Sequence, residues 1–521
     1  MKCDIVKLTN CFIKKQHIAS VHLATELALE LNQPEQAYLI LERSKSRVLV
    51  EQMLRERAEP GSHVDDNLRT QYSELREQLR LLVNQLDTSA PTGIAGDGTT
   101  RFFTPTTRSI EHRPAQTEQL WQEQQAVEQE LKKVRDAIAE QDAAFAEAIQ
   151  PRLLTVAEVI SLVPADTLVI AFEQRPEFLY LYAITVQGIQ TPVQIKLSLE
   201  QVQTQVSRFT DEKRGINSTT GKPDDKPEKR QPIPFYRKRT ANEMSQWLDT
   251  HLKPTLTQFI TQFEPNQIIL IPHVDWHLLP IHLVSINDEL LALRYPVCYL
   301  PSLQVLRLIR ERPPARQEEG CIIANPLGDL VAADLESETV YQLRAKKDKL
   351  LSRQAATLAA VREVLNKAQH SHFSCHGYFA ADLKAGLRLT DGELVAKEMF
   401  TSIRLDNPRL VVMSACETAQ IQPTLADEYM GLSSSFLFAG AHNVLATLWR
   451  VDDNASCLLI EEFYQGLNDG LSPVNALQQA QRHLRQLSRD ELYQRLKADK
   501  LPSDFKNSYY WAGFVLIGDG V

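Results

Sequence analysis

Two stretches decide the fold, His372-Phe373-Ser374-Cys375-His376-Gly377 and Leu410-Val411-Val412-Met413-Ser414-Ala415-Cys416-Glu417-Thr418. Each begins with a short apolar run of the kind that forms buried strands in parallel sheets, and each ends in polar residues. Further strands are predicted at 321–324, 442–448 and 511–517, and helices at 357–368, 427–439, 455–467 and 473–487. This alternation predicts a doubly wound, mostly parallel α/β sheet over residues 313–521, with sites beyond the carboxyl ends of its strands.

A second α/β unit is predicted over residues 151–312. Strand-like runs at 167–172, 178–184 and 267–272 alternate with helices predicted at 198–209 and 241–262. The charged, Pro-bearing segment 211–236 is predicted to be a loop or a disordered insertion.

Helices are predicted in the N-terminal region. Residues 1–57 contain a helix–turn–helix over 17–57, broken at Asn32-Gln33-Pro34, which fits either one tetratricopeptide-type unit or an ordinary helical hairpin. Residues 58–150 contain two long, polar, leucine-bearing helices at 64–87 and 115–148, which we expect to pair in antiparallel fashion. The Thr-, Pro- and Gly-rich stretch between them, 88–113, is predicted to be a mobile loop.

The composition narrows the function class. The 521 residues carry 43% hydrophobic and 24% charged residues and a net charge of −9, which is typical of a globular protein and argues against nucleic-acid binding. The absence of a transmembrane-length apolar stretch and of a secretory signal argues against a membrane protein. The seven cysteines are widely spaced without a C-x-x-C pair, which favours free thiols in a reducing cytoplasm.

His376 and Cys416 follow two predicted neighbouring strands, so that they are expected to meet at one edge of the sheet. A thiolate is the nucleophilic form of cysteine, and an imidazole can generate it or protonate a leaving amine. The backbone N–H groups of Gly377 and Cys416 are predicted to form an oxyanion hole. Spacing alone leaves open that Cys416 is a buried apolar residue and His376 a structural one. Cys375 is expected to be a core residue.

The two stretches resemble the His and Cys motifs of the CHAT family, which are caspase-like peptidases associated with tetratricopeptide repeats. The resemblance extends through Asp427-Glu428-Tyr429-Met430-Gly431-Leu432, Thr447-Leu448-Trp449-Arg450-Val451-Asp452-Asp453 and Trp511-Ala512-Gly513-Phe514, and reaches back to about residue 150. It implies an intracellular cysteine endopeptidase with Cys416 as nucleophile and His376 as general acid/base. It also implies that the 151–312 unit is a non-catalytic, caspase-like companion of the catalytic unit.

Substrate binding is predicted at Asp427, Glu428, Trp449 and Asp452. The first two would line an acidic pocket for Lys or Arg, although carboxylates at a helix N-terminus also serve as caps. Neither a metal nor a cofactor is predicted, because His273 and His277 lack a third ligand and fit a structural turn. The expected partners are a protein or peptide substrate and a regulatory protein bound by the N-terminal helices, without nucleic acid or membrane; the oligomeric state stays open.

Two rival functions remain open at this stage. The first is a catalytically silent caspase-like scaffold for protein assembly. The second is a Cys-His hydrolase acting on a small molecule, against which the absence of a nucleophile-elbow signature counts.

Overall fold

The structure is a computed structural model of the chain. It describes residues 18–46, 49–50, 53, 60–88, 115–142, 145–146, 153–214, 233–312, 319–378, 385–401, 403, 405, 408–415, 421–422, 430–496 and 505–521. The chain divides into two compact units. Residues 1–50, 153–399 and 403–521 form the first, here named the sheet unit, and residues 51–152 with 400–402 form the second, the helical unit.

The helices of the described residues, in chain order, are α1 Ile18–Glu30, α2 Pro34–Ser44, α3 Asp66–Thr88, α4 Ala115–Gln141, α5 Val156–Leu162, α6 Leu199–Arg214, α7 Ile233–Phe263, α8 Leu291–Arg294, α9 Leu303–Arg310, α10 Val331–Leu343, α11 Leu358–Leu365, α12 Ala396–Thr401, α13 Leu432–Ala439, α14 Asp453–Asn468, α15 Pro473–Gln486 and α16 Arg489–Leu496. The strands are β1 Thr167–Gln174, β2 Phe178–Thr185, β3 Gly188–Ile189, β4 Val193–Lys196, β5 Gln267–Ile271, β6 Ser285–Ile286, β7 Glu289–Leu290, β8 Val297–Tyr299, β9 Cys321–Ala324, β10 Lys349–Ser352, β11 His370–Ser374, β12 Gly377–Tyr378, β13 Gly386–Arg388, β14 Glu393–Val395, β15 Leu410–Ser414, β16 Ile421–Gln422, β17 Met430–Gly431, β18 Asn443–Thr447 and β19 Phe514–Gly518.

One 12-stranded sheet runs through the sheet unit in the order β10-β9-β11-β15-β18-β19-β8-β5-β1-β2-β3, with β4 also paired to β2. Strands β9, β10, β11, β15 and β18 are parallel to one another. β19 is antiparallel to β18 but parallel to β8, which is parallel to β5, as β5 is to β1. The sheet therefore consists of two halves of opposite direction, and their carboxyl ends lie at opposite edges.

Helices α1 and α2 lie at the carboxyl edge of the first half, which contains β1, β5 and β8. The Thr25 hydroxyl donates a 2.7 Å hydrogen bond to Glu173 at the end of β1. Lys45 Nζ donates to the carbonyl of Pro272, directly after β5, at 2.7 Å, and Glu42 accepts from the backbone N–H of Gln304 at 2.7 Å. These contacts are buried, so the hairpin is fixed to the sheet by polar groups shielded from water.

The helical unit contains the two long helices α3 and α4. The backbone N–H of Asp65 donates to the side chain of Gln141 at 3.3 Å, so the beginning of α3 meets the end of α4, as expected for an antiparallel hairpin. Its core contains Val64, Tyr72, Val134, Ile138 and Phe145. The segment predicted as a mobile loop, 88–113, lies outside the described residues except for Thr88, the last residue of α3.

The predicted fold class is confirmed: a mostly parallel α/β sheet with a helical N-terminal region. Some boundaries differ. The segment predicted as a loop at 211–236 begins inside α6 and ends inside α7, while residues 215–232 lie outside the described residues. The helix predicted over 427–439 begins only at Leu432, because Met430–Gly431 pair as a strand with Ile421–Gln422. Helix α10 and strand β10 were not predicted. The proposed domain boundaries at 57, 150 and 312 stay predictions.

Candidate active site

The register of β11 and β15 aligns the two chain segments that carry the predicted pair. These strands are parallel neighbours, with Ser374 opposite Ser414, and neighbouring strands lie about 4.8 Å apart. His376 and Cys416 each follow these serines by two residues. Cys416 lies outside the described residues, as do Asp427 and Glu428, so their predicted roles rest on sequence alone.

His376 interacts with a carboxylate that the sequence analysis missed. Its Nε2 lies 3.0 Å from Oδ2 of Asp329, with 33% of the His376 and 55% of the Asp329 side chain exposed. The turn between β9 and α10 presents Asp329, with Gly328 at φ 74°, a conformation that side chains disfavour. Since Asp329 holds Nε2, Nδ1 is the ring nitrogen available to exchange a proton with a reacting group.

Gly377 begins a small antiparallel sheet formed by β12, β13 and β14. The N–H of Arg388 donates to the carbonyl of His376 at 2.9 Å, and Gly377 lies opposite Leu387. Gly377 and Leu387 are therefore a non-hydrogen-bonded antiparallel pair, whose N–H groups point away from the partner strand. This direction is the one an oxyanion-hole donor requires, since the N–H is not used by the ladder.

The residue before Cys416 is anchored from the next strand. The hydroxyl of Thr447, at the end of β18, donates a 2.6 Å hydrogen bond to the carbonyl of Ala415. Ala415 and Thr447 are both buried. The chain is thus fixed immediately before the predicted nucleophile.

A buried carboxylate links the two strands of the site. Glu336 in α10 lies 3.1 Å from Nε2 of His372 in β11 and accepts a 2.8 Å hydrogen bond from the hydroxyl of Ser414 in β15. On its other side, His372 Nδ1 lies 3.3 Å from the hydroxyl of Tyr464 in α14. Burial raises the pKa of Tyr464 well above its usual value, so this phenol keeps its proton.

Asp452 and Asp453 begin helix α14 near His376. Asp452 accepts hydrogen bonds from the N–H groups of Asn454 and Ala455, both at 3.1 Å, and therefore caps the helix. Burial raises the pKa of Asp453, as do Asp452 and Glu336, whereas Arg450 and His376 act in the opposite direction. The Asp453 carboxyl thus lies within electrostatic range of His376.

Trp449 is buried, in contact with several neighbours. Its indole N–H donates to the carbonyl of Tyr509 at 3.0 Å, and its ring meets that of Phe209 edge-on at 5.9 Å between centroids. These contacts involve the sheet unit itself. The predicted contact of Trp449 with substrate stays a prediction.

All the cysteines among the described residues are buried. Cys298, Cys321, Cys375 and Cys457 are buried, and Cys375 is thus a core residue, as expected. Burial raises the pKa of Cys298, Cys321 and Cys457 to about 12. Since the thiolate is the reactive form, these three are poor nucleophiles.

His273 is part of a structural turn. Its Nδ1 accepts a 3.1 Å hydrogen bond from the N–H of Gln174, whose side-chain oxygen in turn accepts one from the indole N–H of Trp276 at 2.9 Å. His277 is also buried. Within the described part of the chain, no group of three or more His, Cys, Asp or Glu side chains is arranged to hold a metal ion.

Comparison with known proteins identifies a matching domain family and two related proteins. The family model of the CHAT domain matches residues 239–519. Tetratricopeptide repeat protein 28 from Homo sapiens is 27% identical over 315 residues, and that from Mus musculus is 36% identical over 113 residues. These matches cover 49% and 22% of this chain but only 12% and 4% of the relatives' lengths.

A solved structure shares the fold. Separase in the Saccharomyces cerevisiae separase-securin complex matches with a TM-score of 0.50 and 11% sequence identity, over 99% of this chain and 44% of that chain. In the residues that the structure describes, no helix is long and apolar enough to span a membrane.

Proposed function

Because the chain belongs to the CHAT domain family, we propose that it is a caspase-like cysteine endopeptidase that hydrolyses peptide bonds in protein substrates. Cys416 is the nucleophile and His376 the general acid/base. The observation that carries this proposal is the alignment of Ser374 with Ser414 on adjacent parallel strands, each two residues before one member of the pair.

The proposed reaction uses the geometry of the strand ends. The Cys416 thiolate attacks the scissile carbonyl carbon, and the carbonyl oxygen becomes an oxyanion near the Gly377 N–H. His376 gives its proton to the leaving amine, which departs as the C–N bond breaks. Water then hydrolyses the thioester, losing its proton to His376 and releasing the acid product and the thiolate.

Asp329 is the residue that we add to the predicted pair. Its carboxylate, 3.0 Å from Nε2 of His376, orients the ring and leaves Nδ1 to exchange the proton. Such a bond to a charged group contributes about 1.5–3 kcal/mol, so replacing Asp329 by Asn is expected to lower kcat/KM about 10- to 100-fold.

Substrate selection is proposed for the acidic residues at this edge. Asp427 and Glu428 follow the nucleophile by about ten residues in the sequence, and with Asp452 and Trp449 they would favour a basic side chain before the cleaved bond. Asp452 caps α14, so its contribution there is to hold the loop after β18.

Regulation is proposed to act through the helical hairpin α1–α2. Leu23, Leu27 and Leu31 recur every four residues and are 66%, 41% and 50% exposed, an apolar stripe suited to a helix of a protein partner. Replacing Leu23 and Leu27 by Lys would abolish activation by that partner. The buried bonds of Thr25, Glu42 and Lys45 would keep the hairpin docked.

The test is cleavage of a proteome-derived peptide library by the wild type and by Cys416→Ala. We expect cleavage, mostly after Lys or Arg, that disappears in Cys416→Ala and falls at least about 100-fold in His376→Ala. Asp329→Asn is compared with Asp334→Asn, which changes a partly exposed carboxylate that pairs with Arg353 and is expected to leave kcat/KM unchanged.

Absence of cleavage calls for a second measurement, covalent labelling of Cys416 by an electrophilic peptide. Labelling would indicate a peptidase that lacks its activator. Its absence would refute the peptidase and favour the catalytically silent scaffold. A cytoplasmic location is proposed on the free thiols alone, and fractionation of cells tests it.

A further inference from the structure

We propose that Glu336 and Ser414 are positioning residues of the active site: the Glu336 carboxylate fixes β11 and β15 to each other and thereby sets the distance between His376 and Cys416. This inference rests on the proposed catalytic pair. It concerns residues that neither contact a substrate nor exchange the proton.

The carboxylate bridges the two strands at the level of the site. One oxygen of Glu336 lies 3.1 Å from the ring of His372, four residues before His376, and the other accepts the Ser414 hydroxyl at 2.8 Å, two residues before Cys416. Backbone hydrogen bonds alone leave the strand ends free to twist. The Glu336 bridge joins His372, which pairs with Val412, to Ser414, which belongs to the last backbone pair of the two strands, and it therefore restrains both strands near their carboxyl ends.

The tautomer of His372 is determined by its neighbours. Glu336 accepts the Nε2 hydrogen, so Nδ1 accepts from the Tyr464 hydroxyl. Tyr464 belongs to α14, whose first residue, Asp453, lies within electrostatic range of His376. The network therefore connects four elements around the site: α10, β11, β15 and α14.

Removing the polar groups of this network from water costs free energy, and apolar packing does not offset that cost. Glu336 and His372 are 4% and 0% exposed, and a buried carboxylate costs several kcal/mol unless it is well hydrogen-bonded. An apolar side chain at position 336 would avoid this cost. Buried polar groups whose hydrogen bonds are all formed stabilise one conformation over its alternatives. A catalytic pair of two residues needs such a single conformation, because its two side chains must be held at a fixed distance.

The loop that leads into helix α10 contains Asp329, the partner of His376. Asp329 precedes the helix by two residues, and Glu336 lies in its second turn. Helix α10 and the loop before it thus determine both the orientation of His376, through Asp329, and the positions of the ends of β11 and β15, through Glu336. A displacement of about 1 Å between reacting groups can cost about 100-fold in rate.

The experiment compares Ser414→Ala, Ser414→Thr and Val340→Ala in the full chain. Ser414→Ala removes only the bond to β15, and Ser414→Thr restores the hydroxyl. Val340 is fully buried on the same helix, and its apolar side chain makes no hydrogen bond, so Val340→Ala is the matched control for loss of stability without loss of a hydrogen bond. The readouts are the rate of Cys416 alkylation by iodoacetamide, followed by mass spectrometry, and kcat and KM for a cleaved peptide.

We expect Ser414→Ala to lower kcat about 10- to 100-fold with KM unchanged, and to slow Cys416 alkylation in the same direction as His376→Ala. Ser414→Thr should recover most of both rates. Val340→Ala should unfold more easily but retain both rates. Wild-type rates in folded Ser414→Ala, or no recovery in Ser414→Thr, would overturn the proposal.

The two proposals fail separately. Slowed alkylation in His376→Ala with an unchanged rate in Ser414→Ala refutes the positioning role and leaves the catalytic pair intact. Slowed alkylation in Ser414→Ala, restored in Ser414→Thr, supports the positioning role even when the wild type shows neither cleavage nor labelling by the electrophilic peptide, a result that would refute only the peptidase.

Discussion

Protonation of His282 is expected to destabilise the sheet unit as the pH falls below neutrality. His282 is buried beside the neighbouring strands β8 and β19: Nδ1 lies 2.7 Å from the Tyr299 hydroxyl of β8, and Nε2 lies 2.9 Å from the carbonyl of Ala512, just before β19. The carbonyl can only accept, so Nε2 carries the hydrogen and Nδ1 accepts from Tyr299. Both ring nitrogens of the neutral imidazole therefore have a hydrogen-bond partner.

Burial lowers the pKa of His282 from 6.5 to about 4, although the bond to Ala512 acts in the opposite direction. The unfolded chain therefore binds a proton first, and stability is fully present above pH 6.5 and lost as the pH falls towards 4. At about 1.4 kcal/mol per pKa unit the whole loss is about 3 kcal/mol. Between about pH 7 and about pH 4.5 it is about 2.5 kcal/mol.

Urea unfolding followed by tryptophan fluorescence measures this loss, since four of the five tryptophans (Trp247, Trp276, Trp449 and Trp511) lie in the sheet unit. Other groups titrate in wild type and His282→Gln alike, so the difference between their pH dependences isolates His282. The wild type should lose about 2.5 kcal/mol more than His282→Gln. A difference below about 0.5 kcal/mol would refute the reasoning, which attributes the shift to burial of the ring.

Three further changes test the packing. In Gly513→Ala the new Cβ would lie 2.7 Å from Cγ1 of Val451, so we expect a loss of about 1–3 kcal/mol and a lower Tm by calorimetry. In Thr25→Val the hydroxyl that donates to buried Glu173 is lost, which should cost about 1–3 kcal/mol and accelerate limited proteolysis of the hairpin. In Ile138→Ala a fully buried side chain of the helical unit is truncated, and hydrogen exchange should quicken in α3 and α4, with a loss of about 2–5 kcal/mol.

Each change has a control of the same type. Gly392→Ala meets only a side-chain carbon of Leu358 at 3.8 Å, so its Tm should match the wild type. Thr250→Val removes an exposed hydroxyl that bonds within its own helix, and Glu140→Ala truncates an exposed side chain of α4. Equal effects in change and control would contradict the packing argument in each case.

The sequence predicted the strands that flank the site because their apolar runs are continuous and short. It did not predict helix α10, whose pattern is inverted. The buried face of α10 contains Ala333, Glu336, Ser337 and only one large apolar residue, Val340, whereas Val331 and Leu335 are 84% and 48% exposed. Helical periodicity of large apolar residues, the pattern that indicates a buried helix face, is therefore weak in this segment.

The missing helix explains the missing residues of the site. Asp329 and Glu336 act from the loop before α10 and from its buried face, and neither has a local pattern that indicates a site. Only the position of Asp329 in the sequence could have indicated its role. The segment Asn325-Pro326-Leu327-Gly328-Asp329 follows the apolar run Cys321–Ala324, and sites in such sheets form at the carboxyl ends of strands. Strand β10 was missed because it is short and lies at the edge, with Leu351 its one buried residue.

The opposite directions of the two half-sheets constrain any regulation through the N-terminal helices. Thr25, Glu42 and Lys45 contact the carboxyl edge of β1, β5 and β8, whereas His376 lies at the carboxyl edge of β11, which is the opposite edge. A partner on the hairpin therefore cannot touch a substrate at His376 by way of these contacts. The effect of such a partner therefore has to pass through the sheet, by way of the contact between β8 and β19, where His282 bonds to Ala512. Coupling between the partner and the active site requires that this contact has two arrangements and that the partner binds one of them more tightly than the other.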